Sequence, residues 1–219
     1  MKKIMATLCF LAHFTAFSQV FELSGGYNVN RYFDSEETSK YASSNYVSDN
    51  GYALQFGIDE VKIDWLILRF TLGFEKYSGF INVSNFGAGG SISNEAQVDK
   101  SIISLGMYPV KFKIAKTLDV DLGMEYSWLI SDHIDGRSKG SITGKPSWDE
   151  DLNERYSDFS EKTYVGFRGR VKYDIKMTDK LTISPQFTYY HGVTSEFIEF
   201  INTRSMRFGF GLRIQRKIE

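Results

Sequence analysis

Residues 206–215 read Met-Arg-Phe-Gly-Phe-Gly-Leu-Arg-Ile-Gln, and apolar side chains alternate with glycine or polar ones along the whole stretch. Because successive residues of a β-strand point to opposite faces, this period of two predicts a strand with one apolar and one polar face. A strand that crosses a membrane needs about 9–11 residues, whereas soluble strands usually have about 5–6. The length of the stretch therefore favours a membrane-crossing strand.

Seven more segments show the same alternation, namely residues 21–31, 52–59, 66–75, 101–114, 120–130, 164–175 and 181–189. The alternation changes phase near Pro109, which predicts a β-bulge, because proline is tolerated at bulges. Eight successive strands predict an all-β fold, an antiparallel up-and-down transmembrane β-barrel. A hairpin within residues 131–160 would raise the number of strands to ten.

The connections between these segments alternate in length. Residues 59–62, 115–118 and 176–180 are short, residues 32–50, 79–99 and 131–160 are long, and residues 194–202 are intermediate. Outer-membrane barrels have short turns on the periplasmic side and longer loops outside the cell. We therefore expect the long connections to be outer loops, and loops 32–50, 79–99 and 131–160 to be the surface for any extracellular partner.

The first residues have the pattern of a secretory signal peptide. Lys2 and Lys3 precede the mostly apolar run Ile4–Phe17, and small residues flank Phe17. This pattern predicts a cleaved signal peptide at 1–18 and a barrel domain at 19–219 in the outer membrane, an ordinary buried N-terminal helix being the alternative. The one cysteine, Cys9, lies in the cleaved part, so the mature chain has no disulfide and no thiol nucleophile.

The composition of the chain excludes some classes of protein. Aromatic residues make up 16% of the chain, with 19 Gly and only 3 Pro, which suits many strands. The net charge of -1 gives no basic excess, so a nucleic-acid partner is not expected. A mean hydropathy of -0.27 is too polar for a bundle of membrane helices.

Charged residues recur on the polar faces of the segments, and we expect them to line the barrel lumen. If the apolar faces pointed inward, their many aromatic side chains would overfill an eight-stranded interior, so these faces are expected to meet outer-membrane lipid. The alternative is a soluble, lipocalin-like periplasmic barrel that binds an apolar ligand. The charges are expected to form a structural salt-bridge network, with a binding site or proton path as the alternative: Arg69, Glu75, Asp121, Glu125, Arg168, Arg170, Arg207 and Arg213.

Aromatic residues near the ends of the segments are candidates for the girdles at the two membrane interfaces. They are Trp65, Tyr108, Trp128, Tyr173 and Tyr189.

Signals for catalysis are sparse. His133 and His191 are the histidines of the mature chain, at the loop-side ends of their segments, and His133 is flanked by Asp132 and Asp135. A rim histidine with an acid and Ser131 is the basis for one alternative, an outer-membrane hydrolase. No metalloprotease, nucleophile-elbow or nucleotide-binding motif is present. We therefore expect no enzyme activity, no cofactor and no metal.

The run from Ser104 to Ile114, the strand Val120–Tyr126 after a short turn, and the glycine-alternating strand Phe208–Leu212 resemble a known group. This is the small outer-membrane β-barrel domain family, also called the porin family or PorT-like. The resemblance implies an integral outer-membrane barrel, similar to OmpX- and OmpA-type barrels, without catalytic residues. Eight strands leave little or no channel, so the expected role is surface interaction or envelope integrity.

Overall fold

The computed structural model describes residues 20–34, 42–63, 66–155, 159–198 and 203–217. Every regular element among them is a β-strand. These ranges include no helix with the length and hydropathy of a membrane span. The predicted signal peptide at 1–18 and the girdle candidate Trp65 lie outside the described residues, so both remain predictions.

Ten strands follow one another along the chain. They are β1 (Val20–Asp34), β2 (Ala42–Ile63), β3 (Leu66–Gly87), β4 (Gly90–Lys113), β5 (Leu118–Ile142), β6 (Trp148–Arg155), β7 (Thr163–Tyr173), β8 (Ile175–Lys176), β9 (Leu181–Gly192) and β10 (Thr203–Lys217).

Eight of these strands form a closed barrel. The order is β1-β2-β3-β4-β5-β7-β9-β10, every pair is antiparallel, and β10 pairs with both β9 and β1. The short β8 continues the line of β7 along β9, whereas β6 pairs with β5 outside the wall. The prediction of an eight-stranded antiparallel barrel is confirmed. The hairpin considered for residues 131–160 also exists, but it adds no strand to the wall.

The predicted bulge at Pro109 is confirmed by a register shift between Met107 and Val110. The alternation holds as far as Tyr108, whose side chain therefore points inward and is only 2% exposed. The assignment of Tyr108 to an interfacial girdle was wrong, because the phase changes after this residue and not before it. Trp128 and Tyr173 are exposed on the outer surface, as the girdle prediction requires.

Two of the three short turns lie where the sequence predicts them. Strand β5 begins at Leu118 after the first, and β9 begins at Leu181 after the second. The prediction of a turn at 59–62 was wrong, since strand β2 continues to Ile63. A bulge between Ile58 and Val61 admits the charged residues without ending the strand, and Glu60 adopts a positive φ of 62° there.

The long connections are mostly strand, so their assignment as loops was wrong. Residues 79–99 form a continuous β3–β4 hairpin that turns between Gly87 and Gly90. Strands β2 to β5 are 22 to 25 residues long, roughly twice what a membrane crossing requires. Their ends continue the wall as a five-stranded sheet, here called the protruding sheet, made of residues 42–49, 78–87, 90–99, 131–142 and 148–155.

The protruding sheet is extended because it has a core of its own. Ile81, Ala96, Val98 and Ile134 point to the inner side and pack with aromatic side chains. Pairing also satisfies the backbone groups of the polar serine and asparagine stretches, which a loop would leave to water. These segments are therefore strands with one half-buried face, although their polar composition is typical of loops.

Candidate functional site

A ring of apolar side chains runs around the wall from β9 to β7. It consists of residues that pair across neighbouring strands: Ile214, Leu23, Phe56, Leu72, Leu105 and Tyr126 are exposed, and Ile183 and Val165 at its two ends are half-buried. Exposed apolar residues continue above and below it, including Tyr52, Phe112, Leu122 and Phe210. Such a continuous apolar surface is far larger than soluble proteins expose, and it is the outer surface of a transmembrane barrel.

The lumen carries charges at the same height. One layer is centred on Glu22 and Asp121, which bind cations from three strands, β3, β7 and β10. Arg69 Nη1 lies 2.6 Å from Asp121 Oδ2, and its Nη2 donates to Glu22. Lys172 Nζ lies 3.1 Å from Asp121 Oδ2, and Arg213 Nη1 lies 3.2 Å from Glu22 Oε2. These ion pairs tie opposite walls of the barrel together.

A second layer lies closer to the outer end. Glu75 accepts hydrogen bonds from Arg207 Nη1 at 2.7 Å, Arg168 Nη2 at 2.9 Å and Asn28 Nδ2 at 2.7 Å. Arg168 also places its Nε 2.9 Å from Glu125 Oε2. All these charged side chains are buried, so each carboxylate compensates cations that water cannot reach.

Tyrosine rings fill the space between the charges. Tyr108 lies against the guanidinium groups of Arg69 and Arg170, at 5.3 and 5.0 Å from its ring centre. Tyr190 lies 3.7 Å from the guanidinium of Arg207. A cation over an aromatic face gains about 0.5–2 kcal/mol, so the rings both pack the lumen and stabilise its cations.

All eight residues of the predicted lumen network lie inside the barrel and form ion pairs: Arg69, Glu75, Asp121, Glu125, Arg168, Arg170, Arg207 and Arg213. The described part of the barrel also buries charges that the predicted set omitted, including Glu22, Lys100, Lys172 and Glu196. Glu22 and Lys172 follow the polar phase of their segments, so the alternation could have identified them. Lys100 and Glu196 fall beside and within predicted connections, where no periodicity identifies an inward position.

A latch closes the outer end of the lumen. Residues 193–198, after β9, fold back into the barrel mouth and bury Glu196 and Phe197. Lys100 Nζ lies 3.3 Å from Glu196 Oε2 and 3.8 Å from the ring centre of Phe197, and the Tyr77 hydroxyl donates to Glu196 Oε2 at 2.8 Å. Within this latch, a buried cation and carboxylate hold a connecting segment inside the barrel.

We expect Lys100→Met to loosen the latch, because Glu196 would lose its cation while still buried. The cost of an unsatisfied buried group is about 1–3 kcal/mol, which corresponds to roughly 10–100-fold faster hydrogen exchange of the backbone amides that the latch protects. The amides to follow are those of Glu196 and Ile198, which donate to Thr203 O and Phe159 O at 2.8 Å.

The control for the latch is the double variant Lys100→Met/Glu196→Gln, which removes both charges and should recover much of the protection. Amides of the β1–β10 pairs should exchange as in the unchanged protein. Unaltered exchange at Glu196 and Ile198 in Lys100→Met would show that the ion pair does not hold the segment.

Within the described part of the lumen, the two charged layers, the latch and the apolar core above it follow one another along the barrel axis. A cavity of about 20 Å³ between the layers is lined by Asn28, Gln55, Glu75, Arg168 and Thr188, among others. This volume holds about one water molecule. The alternative of a soluble barrel requires an apolar cavity for its ligand. The described interior of the wall is charged and packed and does not provide such a cavity.

The top of β1 is joined to β2 and β10 by side chains. The Asp34 carboxylate accepts hydrogen bonds from the Tyr46 hydroxyl and from Thr203 Oγ1, the latter at 3.0 Å. Burial, together with the adjacent Asp34 carboxylate, raises the pKa of the Tyr46 phenol above its ordinary value. Tyr46 therefore remains a donor at physiological pH and holds the base of the protruding sheet to the wall.

The two histidines of the described residues, His133 and His191, lie on the outer surface. His191 stacks on Phe33, with ring centres 5.0 Å apart, and its Nδ1 lies 3.0 Å from the Tyr189 hydroxyl. His133 is opposite Asp99 in the middle of β5, so its placement at a strand end was wrong because β5 continues to Ile142. Among the described residues there is no group of three or more His, Cys, Asp or Glu placed to hold a metal.

No family model and no curated protein matches the sequence. Solved structures similar to the chain include Neisserial surface protein A, at 15% identity and a TM-score of 0.42, covering 89% of this chain and 96% of that one. OprG from Pseudomonas aeruginosa has 12% identity and a TM-score of 0.39, covering 91% and 97%. Ail from Yersinia pestis has 11% identity and a TM-score of 0.37, covering 90% and 99%. Because these identities and TM-scores are low, the assignment of the chain as a transmembrane barrel rests on the closure of its wall and on the polarity of the two faces of that wall.

Proposed function

We propose that the protein is an integral outer-membrane β-barrel that does not conduct solutes and presents the protruding sheet outside the cell for interaction with a partner. The observation that carries the proposal is the reversal of polarity along the barrel axis. Around the wall, apolar residues face outward and charges face inward, whereas the protruding sheet has an apolar core and a polar outer face. The first arrangement suits lipid and the second suits water.

The orientation follows from the connections. Both the first residue of β1 and the last residues of β10 lie at the end with the short turns, opposite the protruding sheet. Barrels of this kind place short turns in the periplasm. The protruding sheet then extends from the cell surface. The finer family placement, as a porin-family or PorT-like chain, is supported by the motifs at 104–114 and 120–126.

A non-enzymatic role is favoured by the positions of the histidines. Asp132 is buried on the inner side of β5 while His133 lies on the outer side, so one of the two acids that flank His133 in the sequence is on the other face; Ser131 and Asp135 share the outer face with it. His191 contacts aromatic rings on the outside of the wall.

The protruding sheet has features of an interaction surface. At its tip, Phe86 and Ile142 border a hollow of about 300 Å³ that is largely apolar. Val47 and Phe86 are each about half exposed. Exposed apolar side chains on a rigid, water-facing sheet are a common property of protein-binding surfaces.

A cysteine placed at the hairpin tip tests the orientation. In Ala88→Cys, we expect a membrane-impermeant maleimide to label intact cells, because Ala88 is exposed between β3 and β4. The sequence has one native cysteine, Cys9, within the predicted signal peptide.

The matched control is Lys116→Cys in the exposed turn between β4 and β5, which should be labelled only after the cells are lysed. A heat-dependent shift on an SDS gel would show that both variants are folded barrels. Labelling of Lys116→Cys on intact cells, with Ala88→Cys protected, would overturn the proposed orientation.

A further inference from the structure

Strand β6 gives the protruding sheet an open edge. Residues 148–155 pair with residues 133–140 of β5, and among the described residues no strand pairs with the other side of β6. In the wall below, β7 occupies the corresponding place beside β5, and β9 continues the sheet beyond it. Alternate backbone N–H and C=O groups of β6 therefore point outward from the sheet, where an extended chain can bind them.

A charge pattern runs across the outer face toward this edge. Glu95 of β4 is opposite Arg137 of β5, which is opposite Asp151 of β6. Arg137 Nε lies 2.5 Å from Asp149 Oδ1, and both side chains are about half exposed. Because opposite charges on neighbouring strands stabilise a sheet, a strand that continued this alternation would carry cations beside Asp149 and Asp151.

The same charges disfavour a second copy of this chain as the occupant. Antiparallel pairing of two β6 strands along their whole length would place Asp149 of each copy opposite Glu154 of the other. Like charges on facing strands are destabilising. The edge therefore selects a chain of different composition.

We propose that β6 binds an extended segment of another protein, with Lys or Arg at alternate positions, which adds to the protruding sheet as a further antiparallel or parallel strand. The backbone edge supplies the hydrogen bonds, and Asp149 and Asp151 select the cations. This inference rests on the proposed function, since the segment must reach the sheet from outside the cell.

The test uses the folded full-length barrel in detergent and a labelled ten-residue peptide in which Lys alternates with Thr and Val. We expect saturable binding by fluorescence anisotropy and slower deuterium exchange in residues 148–155. Two peptides separate the contributions: one with Glu in place of Lys, and one with the same side chains but every backbone nitrogen methylated, which cannot donate to a sheet. Neither should bind comparably.

The variant Asp149→Asn/Asp151→Asn should bind the Lys peptide about tenfold more weakly, and the difference should shrink at high salt. The charge-matched control Glu60→Gln/Asp179→Asn alters carboxylates at the end with the short turns, away from the edge, and should bind like the unchanged protein.

Equal binding of the N-methylated peptide would overturn the inference, because it would indicate charge attraction without strand addition. Equal weakening in the control variant, or no binding of the Lys peptide, would also overturn it. If Ala88→Cys is labelled on intact cells while no peptide binds, the edge inference fails and the proposed function stands.

Discussion

Replacing Glu75 with alanine is expected to lower the free energy of unfolding by about 3–5 kcal/mol, the usual cost of removing one partner from a buried ion pair. Glu75 compensates Arg168 and Arg207 and accepts a hydrogen bond from Asn28, all inside the lumen. Without it, two buried guanidinium groups share Glu125 alone. Urea unfolding of the barrel in phospholipid micelles would measure the loss.

Two variants make the Glu75 result interpretable. Glu75→Gln keeps an acceptor for Asn28 but loses the charge, so we expect it to be destabilised nearly as much as the alanine variant. Arg137→Ala removes the exposed ion pair with Asp149, which should cost no more than about 1 kcal/mol. A Glu75→Ala barrel as stable as Arg137→Ala would show that the lumen charges are solvated and not a packed network.

An arginine in place of Leu105 is expected to destabilise the barrel by about 2–4 kcal/mol, the cost of a cation on the lipid face near the bilayer centre. Leu105 lies in the apolar ring, between Leu72 and Tyr126 on the neighbouring strands, and is 44% exposed. In water the same substitution at so exposed a site would be nearly neutral. The loss of stability in Leu105→Arg therefore shows whether the outer surface of the wall contacts lipid or water.

Val47→Arg is the matched control, because Val47 is 50% exposed on the outer face of the protruding sheet. The added charge should change stability by no more than about 0.5 kcal/mol there. Comparable losses in Leu105→Arg and Val47→Arg would contradict the division of the barrel into a lipid-facing wall and a water-facing sheet.

The strands of the wall and their two faces could be predicted from the sequence because period-two alternation is a local property. Residues 206–215 and 181–189 display it without reference to any other segment. A one-residue slip would turn Arg207 and Arg213 of β10 toward lipid, so the apolar side also determines the register within narrow limits. The inward placement of Arg69, Arg168 and Arg207 follows from the same pattern.

Residues 79–99 show where a local pattern is insufficient. Their serine, asparagine and glycine content is typical of a loop, yet they form a hairpin whose inner face includes Ile81, Ala96 and Val98. Whether such a segment is strand or loop depends on neighbouring strands that complete its hydrogen bonds and cover its inner face. Residues 42–49 and 131–142 provide that cover, and both are distant in sequence.

Only the tertiary structure decided which charges meet and what closes the barrel. Glu75 and Arg207 are 132 positions apart in the chain, and they meet because β10 pairs with β1 and closes the wall. Glu196 reaches Lys100 because the segment after β9 folds into the barrel mouth. Alternation determines the face of each strand, but the contacts across the lumen depend on closure and register, which are properties of all eight strands together.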